Sequence, residues 1–142
     1  MDLLLRIVAV LQIAGGFFAM SGGLRALLAG QAGVVGLIGI ALGAFALVAG
    51  VLLMEGHAQG ERLSRIVQGL QIPLLATPWF GYAWHVGAAL PMHVRLAQPA
   101  TVGIDWSLPS HGLRLTASGP STAVIGINVL ALIAFLLLLA RR

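Results

Sequence analysis

The sequence predicts an all-α membrane bundle of four transmembrane helices, with a small three- or four-stranded antiparallel β-sheet inserted between the third and fourth helices. The first observation behind this fold class is composition, because the 142 residues are 59% hydrophobic and only 8% charged. Ordinary soluble domains carry about 25% charged residues, so lipid is expected to cover much of this chain. Four long apolar runs and one stretch of alternating polarity complete the prediction of a single integral membrane domain.

Each predicted helix is an apolar run close to the length of about 20 residues that a helix needs to cross a membrane. The second run contains no charged residue, and the third is the shortest. Pro73 lies within the third run and should kink or end that helix near Ile72, because proline lacks an amide N–H. The four predicted helices are residues 3–24, 33–54, 62–78 and 121–140.

The predicted sheet occupies residues 80–118, where apolar and polar residues alternate along much of the chain. Alternation is typical of strands with one buried face. A three-residue loop at 98–100 would pair Val94 with Ile104, and a turn at 109–112 would place a third strand beside the second. This meander puts its apolar residues on one face, which we expect to rest on the bundle or on the membrane interface.

The arginines indicate how the chain crosses the membrane, since most of them flank apolar runs and an excess marks the cytoplasmic side. They predict a multi-pass protein, in a bacterial inner membrane, with both termini in the cytoplasm and the sheet outside. The formal charge is +4, but the cations do not cluster on one face, so nucleic acid is not an expected partner. The predicted inner arginines are Arg6, Arg62, Arg65, Arg141 and Arg142, and the predicted outer ones are Arg25, Arg95 and Arg114.

A stripe of small residues on the second predicted helix indicates close helix packing. Small residues at steps of three and four let helix backbones approach each other in a membrane. The simpler interpretation is packing against the first helix, to which the second is joined by a short loop. The alternative is a surface for a second copy or for a larger membrane complex. The stripe consists of Gly36, Gly39, Gly43, Ala46 and Gly50.

Four amide side chains lie within the apolar runs and are predicted to meet near the middle of the membrane. They are Gln12, Gln68, Gln71 and Asn128. An amide that faced lipid would lack hydrogen-bond partners, which costs several kcal/mol. The cluster is therefore either a structural contact that fixes helix order or a polar site inside a cavity.

A second polar cluster is predicted on the sheet, where His93 would face Asp105 with Arg114 diagonal to them. A histidine beside a carboxylate is the beginning of a general base, but Ser107 lies opposite Arg114, so a cross-strand charge cluster is the simpler interpretation. A metal site from His93, Asp105 and His111 is a weaker alternative. Because the four histidines lack helical zinc spacing and cysteine is absent, no catalytic, metal or cofactor site is predicted.

These patterns favour a non-enzymatic structural or accessory membrane subunit that contacts membrane lipid and assembles with itself or in a larger complex. The alternative function is a transporter, or a lipid- or small-molecule-binding membrane protein with a polar mid-membrane site near the Pro73 kink. A membrane enzyme using His93 and Asp105 is the third hypothesis. No sequence motif identifies a family.

Overall fold

The protein combines a long helical hairpin with two shorter helices and an antiparallel sheet. The computed structural model describes residues 3–31, 33–105 and 112–140. In chain order its elements are α1 (Leu3–Leu28), α2 (Val34–Met54), α3 (Ala58–Gln71), β1 (Pro73–Ala76), β2 (Gly81–His85), β3 (Pro91–Arg95), β4 (Thr101–Ile104), β5 (Gly112–Thr116), β6 (Val124–Asn128) and α4 (Val129–Leu139).

The predicted bundle of four transmembrane helices is wrong. Among the described residues, only α1 and α2 are long and apolar enough to cross a membrane, with 26 and 21 residues. The α3 helix has 14 residues and α4 has 11, so at about 1.5 Å per residue neither reaches the roughly 30 Å of a hydrocarbon core. The remaining apolar residues form strands of a six-stranded sheet.

The third predicted helix is divided into a helix and a strand. Pro73 ends α3 at its C-cap residue Ile72, as predicted. The residues after it do not continue as a helix but form β1, which pairs with β6 on one side and β2 on the other. Proline is tolerated as the first residue of a strand, because no ladder hydrogen bond is lost before the strand begins.

The fourth predicted helix is divided in the same way. Its first part is β6, which contains Val124, Ile125 and Ile127, and β-branched residues of this kind favour strands. Asn128 then caps α4, because its Oδ1 accepts a hydrogen bond of 3.4 Å from the Ala131 backbone N. An asparagine at this position satisfies one of the N–H groups that the first turn of a helix leaves without a partner.

The sheet has the order β4-β3-β6-β1-β2-β5, with every neighbouring pair antiparallel. It is not the predicted meander, because β5 pairs with β2 at the far edge from β4. The β3–β4 hairpin is present, but Val94 pairs with Val102 and not with Ile104. This shift of two residues leaves each side chain on its predicted face. The predicted turn at 109–112 falls largely on residues 106–111, which lie outside the described residues.

The sheet has one apolar face across all six strands, and an opposite face of polar and small residues, with Leu74 and Val124 among them, that we call the polar face. Residues that lie opposite each other on two paired strands have their side chains on the same face of the sheet. One cross-sheet row is entirely apolar or aromatic, and it consists of Leu115, Tyr82, Leu75, Ile125, Val94 and Val102. A neighbouring row on the other face consists of Thr116, Gly81, Ala76, Val124, Arg95 and Thr101.

The apolar face is buried most deeply against the helices at β2 and β5. Trp84 is completely buried there, in one core cluster with Ala46 and Ala49 of α2 and Val67 of α3. A second cluster joins α1, α2 and α4 and includes Leu5, Leu53 and Leu138. Burial of aliphatic and aromatic side chains of this size contributes about 1.5–3 kcal/mol each.

The predicted stripe of small residues on α2 faces neighbours within the same chain. A Cβ on Gly43 would lie 3.1 Å from the Ala19 Cβ, and one on Gly50 would lie 2.9 Å from the Gln12 Cβ, so both face α1. Gly39 faces β5 instead, Ala46 belongs to the Trp84 cluster, and Gly36 presents its carbonyl toward Gly23 of α1. The self-association of this stripe stays a prediction.

Candidate functional site

The buried amides hold separate parts of the fold together. Gln12 of α1 accepts a hydrogen bond of 2.8 Å from the Ser64 hydroxyl of α3. The same hydroxyl lies 3.3 Å from the Ala49 carbonyl oxygen of α2. All three residues are fully buried. This contact therefore joins the three helices through polar groups that are shielded from water and lipid.

Gln71 connects the end of α3 to the segment that follows β2. Its Oε1 accepts a hydrogen bond of 2.7 Å from the Val86 backbone N. Its Nε2 donates to the Val67 carbonyl oxygen one helical turn earlier, at 3.3 Å. The Gln71 amide thus provides an acceptor for the Val86 backbone N–H, which lies in a segment without regular structure and would otherwise be buried without a hydrogen bond.

Asn128 makes a third contact, away from the other two. Besides capping α4, its Oδ1 accepts a hydrogen bond of 3.1 Å from the Leu90 backbone N. Gln68 is buried on α3, but none of these hydrogen bonds includes it. The four predicted amides therefore do not form one hydrogen-bonded cluster; three of them make three different contacts.

Several buried donors in this interior lack a hydrogen-bond partner among the described residues. They include Gln12 Nε2, Trp84 Nε1 and Asn128 Nδ2. An unsatisfied buried donor costs about 1–3 kcal/mol, and ordered water is a common partner in such places. These atoms are positions in the core where a water molecule or a polar guest would gain a hydrogen bond.

The predicted pair on the sheet is present. His93 Nδ1 lies 3.4 Å from Asp105 Oδ2, and the imidazole ring covers Gly103, where a Cβ would lie 2.7 Å from the His93 Cε1. Arg114 does not join them, because β5 and β4 are opposite edges of the sheet. Ser107 and His111, the other candidates, lie outside the described residues.

The exposure of Asp105 makes the pair a weak ion pair. Its side chain is 70% exposed, and exposed pairs typically contribute less than about 1 kcal/mol. In the described part of the chain, no group of three or more histidine, aspartate or glutamate side chains could hold a metal ion. The geometry thus gives the pair a local role on the polar face of the sheet.

The polar face of the β1-β2-β5 half contains a cavity of about 430 Å³, which we call the sheet pocket. Small residues make room for it, since Ala76, Gly81 and Ala83 are among its lining residues. A Cβ on Gly81 would collide with the Thr116 hydroxyl. The glycine therefore lets the neighbouring strand place a polar side chain over its backbone.

Polar side chains from two strands line the sheet pocket. Arg114 and Thr116 belong to β5, and His85 belongs to β2. Leu74 of β1 adds an apolar side chain. Small-molecule sites commonly have volumes of about 300–1,000 Å³ and combine an apolar lining with a few convergent polar groups, and the sheet pocket has both properties.

Tyr82 lies behind the sheet pocket, with its side chain in the row that faces the helices. Its hydroxyl donates a hydrogen bond of 2.6 Å to the Leu70 carbonyl oxygen of α3. Burial raises the pKa of the Tyr82 phenol above its ordinary value, because the charged form loses hydration. This bond fixes β2 against the end of α3, and so fixes one wall of the pocket.

Sequence reasoning missed the sheet pocket because two of its strands had been placed differently. The sequence predicts a helix for the residues of β1, and it predicts that β5 pairs with β4 and not with β2. The one local signal was the alternation of Gly81, Ala83 and His85 on a single face of a strand. Alternation shows which residues share a face but not which strand lies beside them.

Comparison of the chain with protein-family models, with curated proteins and with solved structures finds no match.

Proposed function

We propose that the protein is a non-enzymatic accessory protein of a membrane, held in the bilayer by the hairpin of α1 and α2. The observation that carries this proposal is the large apolar surface that the fold leaves uncovered. The buried share of the most apolar stretch is 39% in α1 and 28% in α2. A core helix of a soluble protein would be mostly buried, so lipid or partner helices are the expected cover.

The end of the hairpin shows this exposure most clearly. Leu28, the last residue of α1, is 81% exposed, and Val34, the first residue of α2, is 73% exposed. Phe17, Phe18 and Leu24 are also exposed. Phenylalanine and leucine are favourable in hydrocarbon and costly to expose to water, so insertion of this hairpin would remove the cost.

The sheet adds a second uncovered apolar surface. The face that packs on the helices at β2 continues across β6, β3 and β4 without cover, and its residues include Ile125, Met92, Val102 and Ile104, all of them exposed. The side chains of this surface lie on the same face of the sheet as the buried Trp84. A membrane surface or a partner subunit in contact with the helices could therefore cover both.

The arginines support one orientation of a two-helix hairpin. If α1 and α2 cross the membrane together, α3 begins on the same side as the start of α1, while β5 and the segment after β2 lie alongside the hairpin, where they contact Gly39 and Gly15. Of the arginines on the helices, Arg6, Arg62 and Arg65 then lie on the first side, and Arg25, at the end of α1, lies on the other. By the excess of cations on the inner side, the start of α1 and the start of α3 are cytoplasmic in this proposal.

Membrane fractionation tests the proposal most simply. The protein should sediment with membranes, remain there after washing at high pH and be released by detergent. Recovery of a monodisperse protein in buffer without detergent would contradict membrane insertion. The mass of the detergent-solubilised protein then tests the accessory role, which predicts a self-assembly or a complex with a defined second subunit and is contradicted by a monomer.

Single-cysteine labelling tests the orientation, because the chain has no cysteine of its own. Gln31 lies between α1 and α2, and Gln59 lies in the first turn of α3; both are exposed. An impermeant maleimide should label Gln31→Cys from outside intact cells and Gln59→Cys only in inverted vesicles. Labelling of both from the same side would contradict the two-crossing hairpin.

A lipid-binding role is a second candidate, favoured by a groove of about 420 Å³ between α3 and α4. Arg62 and Arg65 are among its lining residues, together with the apolar Ile66, Leu70 and Phe135. Basic residues beside an apolar groove are suited to an anionic phospholipid. Retention of such a lipid through purification, and its loss after Arg62→Gln with Arg65→Gln, would support this candidate; equal retention by the variant would contradict it.

A further inference from the structure

The sheet pocket has a charge that selects the kind of molecule it can hold. Arg114 brings a guanidinium group, and none of the described residues that line the pocket is an aspartate or a glutamate. A guanidinium group offers donors in a planar fork that matches a carboxylate or a phosphate. The charge of the pocket is therefore complementary to an oxyanion.

Two further polar groups lie at the same cavity. The Thr116 hydroxyl can donate or accept a hydrogen bond, and the His85 imidazole carries a nitrogen donor in either neutral tautomer. Arg114 pairs with Ala83 across the strands, and Thr116 pairs with Gly81. The cation and the hydroxyl are thus two residues apart on β5 and face the same side of the sheet, about 6–7 Å apart along the strand.

The rest of the pocket is apolar and small. Leu74, Ala76 and Ala83 have no polar side-chain atoms, and they lie beside the polar groups on the same sheet face. A fully polar anion such as inorganic phosphate would leave this part without favourable contacts. A ligand with a short hydrocarbon chain or ring would cover the apolar part of the pocket and remove it from water.

We propose that the sheet pocket binds a small organic oxyanion with a compact apolar body, with Arg114 holding the charged group and Leu74 and Ala83 contacting the apolar part. This site is distinct from the membrane-contacting surfaces, because its side chains lie on the opposite face of the sheet. It does not depend on the proposed membrane role. The shared chemistry of a carboxylate and a phosphate monoester defines the ligand class.

The binding test uses the full-length protein in detergent and trifluoromethyl-labelled hexanoate, observed by fluorine NMR. The same measurement is made with hexyl phosphate in competition. Either anion should bind, and the stronger competitor identifies which oxyanion the pocket prefers. Hexanol lacks the charge, hexylamine reverses it and inorganic phosphate lacks the apolar chain, so each should bind at least tenfold more weakly.

Arg114→Gln should weaken binding of the hexanoate probe by about tenfold or more, which is typical for loss of a hydrogen bond to a charged group. Arg95→Gln is the matched control, because Arg95 is an exposed arginine on the same polar face but outside the pocket. Ala83→Leu fills the cavity while keeping the cation, and it should also reduce binding. Binding by Arg114→Gln and by Ala83→Leu is compared with that of the original protein after each variant has been shown to keep its thermal stability.

Equal binding of hexanoate by Arg114→Gln and the original protein would overturn the proposal. So would an equal loss in Arg95→Gln, since that would indicate attraction by net charge alone, or binding of hexanol as strong as that of hexanoate. If Ala83→Leu does not fold, Arg114→Gln alone decides, because its side chain is exposed and its replacement leaves the strand pairing intact.

Discussion

Gly15 gives the sharpest stability prediction, because at this position the α1 backbone packs directly on the backbone of the segment that follows β2. A Cβ at this position would lie 2.6 Å from the Val86 carbonyl carbon and 2.7 Å from the Gly87 Cα. These are backbone atoms, which cannot rotate away as a side chain can. The Gly87 backbone N would be closer still. Ordinary contact begins at 3.4 Å, so α1 or the segment after β2 would have to retreat by more than about 0.8 Å in response to Gly15→Ala.

Gly22 is the matched control on the same helix. A Cβ at Gly22 meets no atom within 4 Å. Replacing a helical glycine by alanine alone stabilises a helix by about 0.5–1 kcal/mol, and this gain applies to both variants. The difference between Gly15→Ala and Gly22→Ala therefore measures the packing cost, which is about 1–3 kcal/mol for an overpacked site.

Unfolding of the two variants in the same detergent, by heat or by titration with a denaturing detergent, gives this difference directly. Gly15→Ala should be less stable than the original protein, and Gly22→Ala should be as stable or more stable. Displacement of the segment after β2 should also lengthen the hydrogen bond between Val86 N and Gln71 Oε1. Equal stability of the two variants would show that α1 does not pack against this segment.

Three further predictions concern single polar groups. Gln71→Leu should lower the free energy of unfolding by about 1–3 kcal/mol, because the buried Val86 N–H loses its acceptor. Gln59→Leu, on the exposed side of α3, is the control and should change the free energy of unfolding little. Similar losses in the two variants would contradict the hydrogen bond between Val86 and Gln71. Tyr82 is the only tyrosine, so an absorbance titration should give its phenol a pKa above the ordinary value of 10.0. Because the folded protein holds this proton more tightly than the unfolded chain, stability should fall as the pH rises above about 10, and Tyr82→Phe should reduce that fall; a midpoint at 10 would contradict the burial. Asp105→Asn should cost less than about 1 kcal/mol, and less still at high salt, because its pair with His93 is exposed; a larger, salt-independent loss would be inconsistent with a surface ion pair.

The faces of the strands were predictable from the sequence, but the strand order was not. Side-chain alternation assigns His93 and Asp105 to one face whatever the pairing, and the structure brings them together although the hairpin register differs by two residues. The partner of each strand depends on contacts between distant residues. The β1 and β6 strands form the centre of the sheet and separate β3 from β2, which no local pattern indicated.

Hydrophobicity also gave the wrong element type for the centre of the sheet. A central strand that is apolar on both sides has the same composition as a short membrane helix, and residues 121–140 were assigned as one helix for that reason. Two local signals favoured the division found in the structure: the β-branched residues Val124, Ile125 and Ile127, and an asparagine able to cap a new helix. Pro73 gave a third signal: the predicted interruption near Ile72 is present and ends α3 there, whereas the sequence predicted one helix over residues 62–78.

The measurement that tests the membrane proposal most directly compares two adjacent residues of β4. Val102 belongs to the uncovered apolar face and is 71% exposed, whereas Thr101 belongs to the polar face and is also exposed. A fluorophore is attached to Val102→Cys or Thr101→Cys, and the protein is reconstituted with brominated phospholipids, which quench on contact. The proposal predicts strong quenching at 102 and little at 101. Equal weak quenching at both positions, with no quenching at Leu28→Cys in the hairpin, would contradict contact with lipid.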